Sequence, residues 1–241
     1  IPIILGFLIP VLFIINNVIY EFSRIDFIKF FNLTTNTVII SLIATLIILV
    51  IAVYFQFLKR ILKNRTITFF NEVISLTYAL PGAVIGLSLI LLFTSYPFEN
   101  ELLIGSFGIL VYAYVIRYMA VGISPLKSSF DKHPSSYDDT AFNLGMGPTK
   151  LFRSIHLPIN KSAIAIAFLI TFVDIIKELP ITLILRPFNF DTLAVQTYEY
   201  AIEEMIPKSS IYSLAIVMLG TILLIFLKKI VNKEIDVPKS K

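Results

Sequence analysis

The sequence contains no cysteine, which excludes a disulfide framework, a thiolate metal site and a cysteine nucleophile, and leaves the redox compartment unread. It contains no G-x-x-x-x-G-K-[ST] phosphate loop, so the chain is not itself a P-loop ATPase, and no H-E-x-x-H metal motif. Charge is scarce as well: 15% of residues are charged against 57% apolar, with a mean hydropathy of +0.86 over 241 residues. A soluble domain of this size cannot hide so much apolar surface, so the solvent must be lipid. In lipid each span of about 20 apolar residues satisfies its backbone within a helix, and open-edged sheets are excluded. The net charge of +4 does not imply nucleic acid, because the basic residues fall in short loops beside apolar runs.

Six apolar segments are long enough to cross a bilayer: 1–20, 34–58, 69–94, 102–123, 162–185 and 211–230. The expected architecture is all-α, one six-span transmembrane domain covering 1–241. Cytoplasmic loops are enriched in Lys and Arg, which sets the orientation. The second connection carries Lys59, Arg60, Lys63 and Arg65. The loop 124–161 carries Lys127, Lys132, Lys150, Arg153 and Lys161, and the tail carries Lys228, Lys229, Lys233, Lys239 and Lys241. The first connection balances Arg24 and Lys29 against Glu21 and Asp26. The third has only Glu99 and Glu101, and the fifth holds Asp191, Glu199, Glu203 and Glu204. Both termini are therefore expected in the cytoplasm. Ile1 is not a methionine and lies inside an apolar run without a basic leader, so a chain cut from a longer one, or processed at its start, is expected.

The fifth connection repeats Leu193, Thr197, Tyr198, Ala201, Ile202 and Met205 at helical spacing, with Glu199, Glu203 and Glu204 on the other side. An external amphipathic helix capped by Asp191 is expected there. Shielding of span ends and docking of a partner both remain open as its role.

The fourth connection reads HPSSYDDTAFNLGMGPTKLFRSIHLPIN from His133 to Asn160. Ser136 followed by Asp139 has the form of a capping box, and Gly145 is placed to stop the helix. Tyr137, Ala141 and Leu144 share one face of a helix too short to stand alone, so that stripe must be buried against something. A second short helix can begin at Pro148 and is expected to end before Pro158. The two make a knob, and a knob suggests a socket on a partner.

This loop resembles the binding-protein-dependent ABC importer permeases, whose cytoplasmic pattern is Glu-Ala-Ala, three residues, Gly, nine residues, Ile, one residue, Leu-Pro. Here Asp139, Thr140 and Ala141, then Gly145, then Ile155, Leu157 and Pro158 keep that spacing, with Asp for Glu and Thr for Ala. The resemblance implies a type I ABC importer permease in a bacterial inner membrane. It implies a short coupling helix from Ser136 to Gly145 that inserts in the ATP-binding subunit and transmits its closure, with Asp139, Ala141 and Gly145 on the coupling surface. It also implies three partners: a dimer of ATPase subunits that uses ATP and Mg, an extracytoplasmic substrate-binding protein, and a second permease half, fused or homodimeric. No cofactor is expected on this chain.

Residues 172–197, FVDIIKELPITLILRPFNFDTLAVQT, resemble the ferric-iron permeases of this superfamily, particularly their C-terminal half, so ferric iron is the expected cargo. Thiamine, molybdate, sulfate and phosphonate are alternatives within the class. Hard cations prefer oxygen ligands, and the two histidines, His133 and His156, both lie in the knob. Glu72, Asp174, Lys177 and Glu178 are the pathway candidates, with Tyr78 better explained as a packing group. Asp174 and Lys177 are at helical neighbour spacing and form a local ion cluster, or Lys177, about 24 Å along its span, snorkels to the interface; both readings stand. Gly82 and Gly86 beside Pro81 suggest close helix packing and a kink, and Arg117 an interfacial anchor. An ATP-independent transporter is the rival reading; a membrane enzyme lacks a convergent catalytic set.

Overall fold

The computed structural model describes residues 2–62, 64–95 and 105–235, with side chains as far as Ile230. Ile1, Lys63, Glu99, Glu101, Lys239 and Lys241, the start of the expected fourth span at Leu102, and the side chain of Lys233 lie outside the described residues.

Every regular element among the described residues is helical: α1 (Ile9–Glu21), α2 (Phe27–Leu62), α3 (Arg65–Leu76), α4 (Gly82–Ser95), α5 (Phe107–Lys132), α6 (Ser136–Asn143), α7 (Pro148–Leu151), α8 (Leu157–Ile159), α9 (Lys161–Ile176), α10 (Pro180–Leu185), α11 (Leu193–Ile202) and α12 (Ile206–Ile235). Among the described residues, four helices are long and apolar enough to cross a membrane: 4–24, 27–62, 107–132 and 206–230. Two bent pairs raise that to as many as six: 65–79 with 82–95, bent by 109°, and 148–159 with 161–176, bent by 70°. Helix α2, with 36 residues, is about 54 Å long and exceeds a hydrocarbon core of roughly 30 Å.

Two expected spans are interrupted. The stretch 69–94 breaks at Pro81, which has no N–H to donate and forces the preceding residue out of the helical region; Leu80 has ψ 132°. The stretch 162–185 breaks between Ile176 and Pro180, which opens α10 at its first helical position; Leu179 before it keeps a helical ψ of −56°. Other prolines are passed without a break, among them Pro125 inside α5. Pro10 and Pro158 each follow a π-helical turn, Ile4–Leu8 and Phe152–His156, in which the i→i+5 bond widens the ring. The proline, lacking a donor and crowding the carbonyl four residues back, sits where the bonding register changes. The segment starting at Pro148 therefore runs on to Ile159 instead of ending before Pro158.

The chain divides into two compact units. One comprises 1–43, 82–113 and 173–223. Its core is Leu33, Leu193, Ile211, Tyr212 and Ala215. The segment before α11 is pinned to α2 by polar bonds: Asn36 donates to the Asp191 carbonyl at 3.1 Å, and Leu193 N–H donates to Thr37 Oγ1 at 2.9 Å. Thr192, not Asp191, caps α11, accepting from the Val195 amide; the Asp191 carboxylate is drawn away by Arg186, which also pairs with Glu199 at 2.8 Å. Gly86 of α4 lies against α10, where an added Cβ would stand 3.1 Å from Ile184 Cγ2, so the small residue does serve close packing.

The second unit comprises 44–81, 114–172 and 224–241. Its α2 and α5 segments meet at Gly122 and Ile48. Gln56 donates to Asn71 Oδ1 at 2.8 Å, pairing two buried amides between α2 and α3. Phe57, Phe130, Ala141 and Leu151 form an apolar cluster on which the 133–160 loop is built.

Candidate coupling site

Helix α6 starts without the expected capping box. Ser135 is the N-cap and makes no side-chain cap bond, and Ser136 is already the first helical residue. The first amides turn instead to nearby carbonyls: Asp138 N–H to Ser135 O at 3.0 Å and Asp139 N–H to the same oxygen at 3.2 Å. Asp138 and Asp139 in the first turn suit the positive end of the helix. The other end is a Schellman motif: Met146 N–H donates to Ala141 O at 3.0 Å and Gly145 N–H to Phe142 O at 2.9 Å. Gly145 has φ +76°, and no atom of this chain lies within 4 Å of an added Cβ. Conformation, rather than crowding by its own chain, is what calls for glycine here.

Pro148 opens the second segment at its first helical position after Gly147, as expected. With α6 it frames an apolar groove of about 410 Å³ lined by Tyr137, Thr140, Ala141, Leu144, Met146, Ile155 and Ile159. The stripe expected to be buried is split: Ala141 is buried, whereas Tyr137 and Leu144 are exposed on the groove. Of the coupling candidates, Ser136, Asp139, Thr140, Gly145 and Pro158 are exposed, and Ile155 and Leu157 are half-buried. Ala141, expected on the coupling surface, is instead buried in the cluster beneath α6, while Asp139, Thr140 and Gly145 face outward beside an open apolar surface.

Asp138 does the opposite. It is buried, and one oxygen accepts from Arg60 Nε at 2.6 Å while the other accepts from His156 Nε2 at 2.8 Å. Arg60 further donates to the carbonyls of Phe130 (2.6 Å), His133 (2.9 Å) and Pro134 (2.7 Å), acceptors left over at the end of α5. The His156 ring stacks on Phe130, with an interplanar angle of 11°. Partial burial, and then the charges of Arg60 and Lys132, hold the pKa of His133 below its ordinary value.

Among the pathway candidates, Asp174 and Lys177 are paired at 2.8 Å, with Lys177 largely exposed. Glu178 is buried and accepts from the Ile181 amide at 3.0 Å, so it caps α10 after the break. Glu72 is exposed on α3. Arg117 is bonded to the Leu80 carbonyl and lies over the rings of Tyr78 and Tyr118, 5.9 and 5.7 Å from their centroids. It secures the chain end exposed by the break at Pro81. No group of three or more His, Asp or Glu able to hold a metal ion occurs among the described residues.

The family described as binding-protein-dependent transport system inner membrane component matches residues 62–237. The chain belongs to that family. This permease is 27% identical over 204 residues, 85% of its own length, to the Fe(3+)-transport system permease protein FbpB 2 of Haemophilus influenzae, of which it covers 40%. It is 32% identical over 94 residues, 39% of its length, to the maltose/maltodextrin transport system permease protein MalG of Escherichia coli K12, of which it covers 31%. The chain spans less than half the length of these relatives. Its long apolar helices fit the inner-membrane component that the family description names.

Asp138 and His156 are not among the candidate site residues read from the sequence, and Arg117, expected as an interfacial anchor, instead binds the Leu80 carbonyl. For Asp138 a signal is present: it lies three residues before Ala141, the small apolar residue of the helix, and so on the same face, whereas Asp139 is turned about 100° away. For Arg117 the signal was an arginine inside an apolar run; its partner, a carbonyl before Pro81, carries no mark in the sequence.

Proposed function

We propose that this permease imports ferric iron, delivered from outside by a substrate-binding protein and driven by a dimer of separate ATPase subunits that grips the knob around α6. The knob geometry supports the coupling role: α6 ends in a Schellman turn at Gly145 and presents Asp139 and Thr140 beside an open apolar groove. The loop 124–161 would then lie in the cytoplasm together with both termini, as the distribution of Lys and Arg suggests. No phosphate loop occurs in these 241 residues, which supports a reading in which a separate subunit uses ATP with Mg. A second permease half, fused or from another copy, completes the pathway.

Iron is favoured over sugar because likeness to the Fe(3+) permease extends over 85% of the chain and likeness to the maltose permease over 39%. Cargo passes transiently, and the oxygen-bearing Glu72, Asp174 and Glu178, with Lys177 beside Asp174, are the groups we assign to its route. The deciding experiment measures ATP-dependent uptake of radiolabelled ferric iron into vesicles holding the complete set of subunits, comparing the native chain with Gly145→Trp. Uptake that needs ATP, and is lost in a variant that still assembles, is expected. ATP-driven vesicles that take up no iron would remove the cargo assignment, and normal uptake by the variant would remove the coupling role of the knob.

A further inference from the structure

We propose that Arg60, Asp138 and His156 form a positioning tie that makes α6 move as one body with the end of α2. The assignment rests on the permease reading above and names the residues through which a partner's push on the knob is carried inward.

Beneath α6, Ala141 packs in one apolar cluster with Phe57, Phe130 and Leu151, and such contacts are non-directional. The polar contacts are directional. A single carboxylate, 6% exposed, joins the guanidinium of α2 to the imidazole of the π turn, at 2.6 and 2.8 Å. The same guanidinium holds three carbonyls at and beyond the end of α5. Four segments of the second unit therefore share one set of directional bonds. Arginine's rigid fork can make these bonds together, which the single ammonium of lysine cannot.

A buried ion pair contributes little net stability compared with well-packed apolar residues, and its best-attested use is fixing one register among several. Phe130 and Phe57 flank the imidazole, at ring-centroid distances of 5.5 and 5.3 Å, and hold it in place. Asp139, the next residue, is exposed. One carboxylate is thus left for a partner while its neighbour anchors the helix that presents it.

The test exploits the absence of cysteine from these 241 residues. Nitroxide labels on Asn143→Cys of α6 and Leu62→Cys of α2, both exposed positions, report the distance between them in the assembled complex with and without a non-hydrolysable ATP analogue. In the native background one narrow distance is expected, unchanged when the analogue binds. Arg60→Gln and Asp138→Asn should broaden it, and uptake of radiolabelled ferric iron per ATP hydrolysed should fall about tenfold, within the range of ordinary coupling energies. Arg60→Lys and His156→Gln, milder changes, should give smaller losses in the same order and keep the test decisive where the stronger variants do not assemble. A merely structural role would lower the yield of complex without moving the ratio in what assembles. Native-like distances and ratios in assembled variants would overturn the tie. A native complex without ATP-driven iron uptake would instead overturn the cargo reading, while the label distances, which need no cargo, would still decide the tie.

Discussion

Replacing Gly122 by alanine tests the closest approach of α2 and α5. An added Cβ falls 2.6 Å from Ile48 Cγ2 and 3.6 Å from Thr171 Oγ1. Carbon atoms prefer roughly 3.5–4.0 Å, so the methyl group of Ile48 must retreat by about 1 Å. Ile48 is fully buried, and its β-branched side chain has one strongly favoured rotamer in a helix. The strain therefore passes to the helices. Over-packing of this kind costs about 1–3 kcal/mol; at about 3 kcal/mol for so short a contact, less about 1 kcal/mol gained when alanine replaces glycine in a helix, the net loss is about 2 kcal/mol. For a chain of this length that lowers the melting temperature by roughly 4–8 °C. Thermal unfolding of the purified protein in detergent, followed by circular dichroism, measures it. Adding Ile48→Leu moves the branch from Cβ to Cγ and takes Cγ2 away, so the double variant should recover most of the loss, with Ile48→Leu alone completing the cycle. A Gly122→Ala protein that melts at or above the native temperature, or a double variant without recovery, would refute the contact.

Three further outcomes follow from single bonds. Thr192→Ala removes the cap of α11 and costs about 1 kcal/mol, seen as faster amide exchange at Val195, whereas Asp191→Ala frees Arg186 and leaves that amide protected. Asn71→Leu strands the buried Gln56 amide and costs about 1–3 kcal/mol in thermal unfolding; Gln56→Leu with Asn71→Leu should be near neutral, because neither partner is then left unpaired. Gly145→Val should destabilise the end of α6 by about 1–2 kcal/mol and Gly145→Asn by less, since asparagine accepts a positive φ and open space surrounds the position. Exchange of the Met146 amide, whose bond to Ala141 O closes that turn, reads the difference.

What the sequence specified well is what neighbours in the chain decide. Gly145 needs only its own φ, Pro148 only the first position of a helix, and the Asp174–Lys177 pair only one turn of spacing. The misreadings arise where a local motif is overridden by something the motif itself does not contain. Asp191 has the form of a cap until Arg186 claims it, and the Ser136 and Asp139 box fails because the helix has already begun at Ser136. Pro158 looks like a terminator because its effect is judged against an α-helical ring; the π turn before it changes the ring.

The same distinction explains why the 133–160 loop stands out by its spacing while its anchorage does not. A motif spaced along one chain records the residues a partner meets, and here Asp139, Thr140 and Gly145 are exposed. The groups that hold those residues steady come from elsewhere: Arg60 lies 78 residues before Asp138, and His156 lies 18 after it. Arg60 also belongs to the run KRILKNR, whose charge is read first as a signal of membrane orientation. Lys59 and Arg60 in that run have different tasks, because a residue at the end of a long helix turns by about 100° per position. Arg60 points its fork at a carboxylate and three carbonyls. A charge read as a signal of orientation can thus also be the one that bonds the end of α2 to α6, and only the bonds it makes separate the two roles.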